Sequence, residues 1–133
     1  MTASWTSAVR ALVAATLLVA TAALMFVTVN TAWAAGALAI GKCGSYGQAY
    51  DFPSTRAASR SALRKCEGKS CRVVTTTRHG CAAFAVDGTR PCRAHGWGKG
   101  ARLGVAENAA LRACYKGGGR NCMIRTFYCD ARG

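Results

Sequence analysis

Few side chains of this 133-residue sequence could carry acid–base chemistry, and two histidines are chief among them. His79 and His95 could act as general base and general acid, while a Lys or Arg stabilises charge on a phosphate group. Such a site would make the protein a small secreted ribonuclease-like hydrolase. His79 lies in an Arg-His-Gly turn and His95 in a Gly/Trp segment, however, and lone histidines are commonly surface residues. Catalysis is therefore the alternative hypothesis.

The carboxylates favour a structural role. Asp51, Asp87 and Asp130 fall at expected strand ends or turns, where a short carboxylate normally accepts a hydrogen bond from a backbone amide. The sequence contains no motif typical of a serine hydrolase, a zinc protease or a phosphate-binding loop. We accordingly assign no catalytic, cofactor-binding or metal-binding residue, expect no cofactor, and favour a protein that is not an enzyme.

Cysteine is the residue type with the clearest meaning. The chain has eight cysteines, and an even number in a short exported chain predicts a disulfide framework. A structural zinc site is disfavoured because its usual Cys-x2-Cys spacing is absent. The cysteines expected to form disulfides are Cys43, Cys66, Cys71, Cys81, Cys92, Cys114, Cys122 and Cys129.

The strong positive charge of the chain favours anionic binding partners. Lys and Arg number 18 against five Asp and Glu, which gives a formal net charge of +13. Such a field attracts anionic polymers and surfaces without selecting among them, and solubility alone is an equally good explanation. The candidate partners are therefore an anionic polymer, a membrane surface, or a host or cell-envelope protein, and the composition singles out none of them.

Five basic residues form a candidate binding face. Arg56, Arg60 and Arg64 recur at four-residue spacing on the first expected helix, opposite its Ala/Leu stripe. Arg112 and Lys116 lie on the second expected helix, so the five would form one basic surface if the helices lay side by side. Aromatic residues of the Gly-rich segments are expected to pack internally more often than to stack on a ligand; they are Tyr46, Tyr50 and Trp97.

The elements that position these residues begin after a leader. Residues 11–29 form an apolar run behind Arg10, and Ala-Trp-Ala at 32–34 supplies the small-x-small pattern of a signal-peptidase site. Residues 1–34 therefore predict a signal peptide, with an uncleaved membrane anchor as the alternative because the run is nearly long enough to span a bilayer. In either case residues 35–133 are expected outside the cytoplasm as one secreted, disulfide-rich domain.

The domain is expected to consist of two repeats, residues 36–81 and 82–129. A short alternating apolar segment opens each repeat, and Ala-Leu-Arg-x-Cys at 62–66 returns at 110–114. The pattern predicts an α+β fold in which a β-β-α-β unit occurs twice, with mainly antiparallel sheet and two helices. Repeats of about 50 residues are too small to hold separate cores, so we expect them to share one sheet-and-helix core.

The repeats also suggest how the cysteines pair, although eight cysteines allow about a hundred connectivities. Each helix end is expected to be tied to the strand that follows it, by Cys66–Cys71 and Cys114–Cys122. Symmetry suggests that Cys43 pairs with Cys92 and Cys81 with Cys129, in both cases across the repeats.

These residues resemble a known family. The motifs that carry the resemblance are Gly-Ala-Leu-Ala-Ile at 36–40, Tyr-Asp-Phe-Pro-Ser-x-x-Ala-Ala at 50–58, Ala-Leu-x-x-Cys at 62–66, Cys-x-Val-Val at 71–74 and Cys-Ala-Ala-Phe-Ala at 81–85. Together they are similar to domain-of-unknown-function family 4189, which comprises small exported bacterial proteins common in actinobacteria, including mycobacteria. The resemblance implies secretion and a compact α+β fold. It carries over no catalytic motif, although some mycobacterial members are regarded as exported effectors.

Overall fold

A computed structural model describes residues 34–130 and Val13. The expected signal peptide, residues 1–34, lies outside the described residues apart from Val13 and Ala34. None of the helices among the described residues combines the length and the apolar character needed to cross a membrane.

Residues 34–130 form six strands and two α-helices in the order β-β-α-β, which occurs twice. The elements are β1 (Ala35–Ile40), β2 (Tyr46–Phe52), α1 (Thr55–Lys65), β3 (Arg72–Arg78), β4 (Cys81–Asp87), β5 (His95–Gly100), α2 (Leu103–Lys116) and β6 (Cys122–Cys129). A 3-10 turn, Lys42–Gly44, joins β1 to β2. The duplicated order and the α+β class predicted from the sequence are confirmed.

The strands form two three-stranded antiparallel sheets, one from each repeat. The first sheet has the order β2-β1-β3 and the second β5-β4-β6, so the first strand of each repeat is central. In the pairing of central and edge strands, Leu38 lies opposite Gln48 and Phe84 opposite Trp97. The two repeats can therefore be compared residue by residue, with Gln48 equivalent to Trp97.

Alternation along the two central strands distributes their side chains among three buried clusters, one between the sheets and one under each helix. The larger side chains Leu38 and Phe84 meet in a cluster between the two sheets, whereas Ala37 and Ala83 face the helices. Helix α1 contacts the first sheet and α2 the second. The layers therefore run α1, first sheet, second sheet, α2. The expectation of a shared sheet-and-helix core is wrong, because the shared core lies between the sheets and each helix covers an outer face.

Glycines in β2 and β5 let each helix approach its sheet closely. A Cβ atom added at Gly47 would lie 2.6 Å from the backbone nitrogen of Cys66, and one at Gly98 would lie 2.5 Å from the carbonyl oxygen of Ala106. The contact face of each helix is consequently narrow and made largely of alanine. Leu63 and Val105 flank that face and are 39% and 54% exposed.

The starts of the two helices differ in their caps. Ser54 is the N-cap of α1, and its hydroxyl oxygen accepts a hydrogen bond from the backbone N–H of Ala57 at 3.2 Å. Helix α2 begins at Leu103, and Arg102 before it makes no side-chain cap hydrogen bond.

Four disulfides join the pairs favoured by the sequence: Cys43–Cys92, Cys66–Cys71, Cys81–Cys129 and Cys114–Cys122. The reason given for Cys81–Cys129 is wrong, however. Cys81 is the first residue of β4 and lies directly opposite Cys129 on the neighbouring strand β6, so this bond lies within the second sheet. Cys43–Cys92 alone among these four joins the two sheets. Such a framework indicates a compartment outside the reducing cytoplasm.

Candidate functional site

The two histidines do not form one site. Along β4, Val86 pairs with His95 and Cys81 with Gly100, and His79 precedes Cys81 in the turn from β3. At about 3.4 Å per residue, the length of β4 separates the two histidines by roughly 17 Å. A general acid and base must both reach the reacting group by hydrogen bonds, so the hypothesis of a joint His79–His95 site is wrong.

The basic residues of the helices do not form one surface either. Arg56, Arg60 and Arg64 are exposed on α1, and Arg112 and Lys116 are exposed on α2. Because each helix covers the outer face of a different sheet, these two groups lie on opposite sides of the molecule. The anion-binding role of these five residues stays a prediction, but they would act as two separate surfaces.

A basic groove instead lies between the edge strands β3 and β5, one from each sheet. It consists of two hollows of about 200 and 420 Å³, which follow one another along the same two strands. Seven residues of β3 make it about 20 Å long. We call it the β3–β5 groove. Its basic and aromatic lining residues are Lys42, Arg72, Arg78, His79, His95, Trp97 and Lys99.

The sequence of β5 explains one wall of this groove. His95, Trp97 and Lys99 alternate with glycines, so the three side chains share one face of the strand while the glycine face lies under α2. That face is the inter-sheet side, since Trp97 lies opposite the inter-sheet residue Phe84. Trp97 is 40% exposed, so it is not the core residue that the sequence favoured. Strict alternation with glycine was the signal that could have placed these residues together.

Charge in the β3–β5 groove is of one sign. Among the described residues that line it, Lys42, Arg72, Arg78 and Lys99 are cationic and none is acidic. Elsewhere, two of the five acidic side chains of the chain, Asp87 and Asp130, are buried and hydrogen-bonded. Burial of these carboxylates leaves the surface more positive than the sequence alone indicates.

Asp87 links two loops through its carboxylate, which accepts hydrogen bonds from both, and this is the structural role expected for it in a turn. Its carboxylate accepts hydrogen bonds from the backbone N–H of Arg120 at 2.9 Å and from the hydroxyl of Thr89 at 2.7 Å. The backbone N–H groups of Thr89 and Arg90 also donate to it. The N–H of Arg120, followed by the Thr89 hydroxyl, holds the pKa of this carboxyl far below its usual range.

Asp130 belongs to a second buried network, behind the β3–β5 groove. Its carboxylate accepts hydrogen bonds from the backbone N–H of Gly80 and from the hydroxyl of Thr77. The hydroxyl of Thr77 also lies 3.2 Å from that of Tyr128. Burial raises the pKa of Tyr128 to about 12, and the charge of Asp130 acts in the same direction. These groups satisfy one another and fix the strand ends.

Nothing in the described part of the chain brings three potential metal ligands together. Every cysteine is bonded to another cysteine and carries no free thiolate. The arrangement between β3 and β5 therefore supplies cations, an exposed indole and hydroxyls to a ligand, which is binding chemistry.

Residues 35–129 match the family described as a domain of unknown function (DUF4189). The chain belongs to the DUF4189 family. The family assignment spans both repeats and all four disulfides, so the β3–β5 groove and both helices lie within the DUF4189 domain.

Relatives of this DUF4189 chain occur in mycobacteria. Protein Rv1269c of Mycobacterium tuberculosis and Protein Mb1300c of Mycobacterium bovis are each 34% identical to it over 101 residues, which is 76% of this chain and 73% of the relative. No solved structure is significantly similar to the chain. The relatives' names describe no activity, so the comparisons support family membership and no particular chemistry.

Proposed function

We propose that this protein is an exported, non-enzymatic module that binds anionic polymers in the β3–β5 groove. The proposal rests on the lining of this groove, which is about 20 Å long and contains four cationic side chains and an exposed tryptophan. None of its described lining residues is acidic. Cations spaced along an extended groove favour a polymer over a single small anion, because each contact adds an independent electrostatic gain.

Export is part of the proposal. An apolar leader followed by Ala-Trp-Ala supports secretion, and the four disulfides support a final location outside the cytoplasm. A positively charged domain in that location meets acidic polymers of cell surfaces and released nucleic acid, and the groove would concentrate contact with them at one place. The separation of His79 from His95 favours binding over ribonuclease-like hydrolysis.

Two charge-reversal variants distinguish binding in the β3–β5 groove from binding on the exposed helix faces. The groove variant carries Arg72→Glu and Lys99→Glu, and the matched control carries Arg60→Glu and Arg112→Glu on the exposed faces of α1 and α2. Both variants change the net charge equally, so a difference between them reports location. Binding to heparin is measured over a range of salt concentrations, with far-UV circular dichroism to check folding.

We expect wild-type protein to bind heparin at low salt with an affinity that falls steeply as salt rises. In the groove variant, the negative slope of log K against log salt should become shallower by about 2, whereas the control should leave it nearly unchanged. An equal loss in the control would place binding on the helices or on general charge and reject the groove. Wild-type protein that is not retained at low salt would reject anionic-polymer binding altogether.

A further inference from the structure

A second groove lies on the opposite edge of the molecule, where β2 faces β6. Most of its lining comes from β2 and the turn before it, and Lys65, Glu67 and, from β6, Arg125 complete the lining. Its volume is about 780 Å³, which falls within the range of about 300–1,000 Å³ that is usual for ligand sites. We propose that this β2–β6 groove binds an oligosaccharide of pyranose rings. The inference is independent of the anionic-polymer proposal, since the two grooves share no lining residue.

Two tyrosines provide the aromatic surface of the β2–β6 groove. Tyr46 and Tyr50 lie four residues apart on β2, which puts them about 13 Å apart along the strand. Tyr50 is 47% exposed, and its ring stacks on that of Tyr128 with centroids 6.1 Å apart and planes at 15°. Tyr128 is buried and bonded to Thr77, so it backs Tyr50 and leaves the outer face of Tyr50 to a ligand. The electron-rich face of such a ring attracts the polarised C–H groups on the face of a sugar.

Gln48, between the two tyrosines, is held in a defined orientation. The hydroxyl of Thr126 on β6 donates to the side-chain carbonyl of Gln48 at 2.7 Å. That bond occupies the amide oxygen and leaves the amide NH₂ group as a donor in the groove lining. A pre-oriented donor between two rings fits the hydroxyl-bearing edge of an oligosaccharide, whose separate sugar rings would contact Tyr46 and Tyr50.

Charged groups around the groove are of both signs. Lys65 and Arg125 can donate hydrogen bonds, and Glu67 can accept them. Sugar hydroxyls both donate and accept, so a mixed lining suits them, whereas the carboxylate of Glu67 opposes a polyanion. An extended peptide would need apolar pockets for alternate side chains, and the described lining contains no Leu, Ile, Val or Met side chain.

Equivalent positions in the repeats show that the two grooves differ where a ligand would touch them. Tyr46 corresponds to His95 and Gln48 to Trp97, from the strand pairing. The unpaired bulge residue is Arg125 in β6 and Val74 in β3. The same architecture therefore presents tyrosine and amide groups at one edge, and imidazole, indole and cations at the other.

The test uses protein secreted from the full-length chain and three linear tetrasaccharides: β-1,4-linked glucose, α-1,4-linked glucose and β-1,4-linked N-acetylglucosamine. Saturation-transfer NMR detects binding, and calorimetry gives the dissociation constant. We expect at least one tetrasaccharide to bind, and Tyr50→Ala to weaken it about tenfold. Tyr50→Phe keeps the ring and should bind within about threefold of wild type. Retention on heparin should be unchanged in both variants, and far-UV circular dichroism checks that they fold.

Trp97→Ala is the matched control, because it removes an exposed aromatic residue from the other groove. It should leave tetrasaccharide binding intact. The proposal fails if none of the three tetrasaccharides binds, or if Tyr50→Ala binds as tightly as wild type. It also fails if Trp97→Ala abolishes sugar binding, since the sugar would then occupy the β3–β5 groove. Failure here would leave the heparin result standing.

Discussion

A single methyl group placed between β5 and α2 should measure how closely the helix lies on the sheet. The substitution is Gly98→Ala. Its Cβ atom would lie 2.5 Å from the carbonyl oxygen of Ala106 and 2.6 Å from the backbone nitrogen of Ala110. Favourable contacts between heavy atoms begin at about 3.5 Å, so α2 would have to retreat by about 1 Å. Backbone atoms cannot rotate away as a flexible side chain could.

The sign of the change in the free energy of unfolding shows whether close packing against α2 or strand propensity dominates at Gly98. Alanine in place of glycine inside a strand would normally stabilise by about 0.5–1 kcal/mol. Overpacking costs about 1–3 kcal/mol and reaches the upper end when rigid backbone must move. We therefore expect Gly98→Ala to lower the free energy of unfolding by about 2 kcal/mol. For a domain of this size, such a loss lowers the melting temperature by on the order of 10 °C.

Gly104→Ala supplies the control for this prediction. Gly104 lies in the first turn of α2, and a Cβ atom there would have no neighbour within 4 Å. The same change should therefore raise stability, by up to about 1 kcal/mol from helix propensity. Guanidinium unfolding followed by far-UV circular dichroism, with the disulfides intact, measures both variants. Equal midpoints for Gly98→Ala and wild type would refute the close approach of α2 to β5.

Two further predictions concern pH. Because hydrogen bonds lower the pKa of Asp87, this carboxyl contributes stability that is present above its unfolded pKa of about 4 and is lost as pH falls through the lower folded value. Asp87→Asn should thus be less stable than wild type at neutral pH, and its free energy of unfolding should fall less on acidification. Parallel acid-unfolding curves for the two proteins would contradict this. Burial raises the pKa of Tyr128 to about 12, so its contribution is complete below about pH 10 and is lost as pH rises through 12. The stability of Tyr128→Phe should fall less steeply in alkali than that of wild type. An equally steep fall would mean that another group causes the loss.

Local patterns predicted the order of elements and the cysteine pairs, because each depends on residues close in sequence or on the repeat itself. The layering was not predictable in the same way. Both faces of β1 are apolar, since Leu38 and Ala37 alternate. Nothing local indicates which face meets a helix and which meets the other sheet.

The basic groove was missed for a related reason. Helical spacing made the arginines of α1 and α2 conspicuous in the sequence. Arg72 and Lys99 belong to different repeats, and they line one groove only because the two sheets stack. The alternation of His95, Trp97 and Lys99 with glycine does indicate that these three side chains share one face of the strand. A general expectation that aromatic residues fill small cores outweighed that signal.

The bond between Cys43 and Cys92 joins a residue to its own counterpart in the other repeat. Thr77 and Tyr128 are counterparts as well, opposite Gly36 and Ala82, and they meet at the far end of the sheets. Equivalent residues meet at both ends of the sheets, while the equivalent edge strands β2 and β5 lie at opposite edges, so a two-fold rotation axis runs between the sheets along the central strands. The chain thus has the form of a homodimer whose subunits are fused. In a true homodimer the two edge grooves would be identical by necessity. Fusion removes that constraint and allows one edge to diverge from the other.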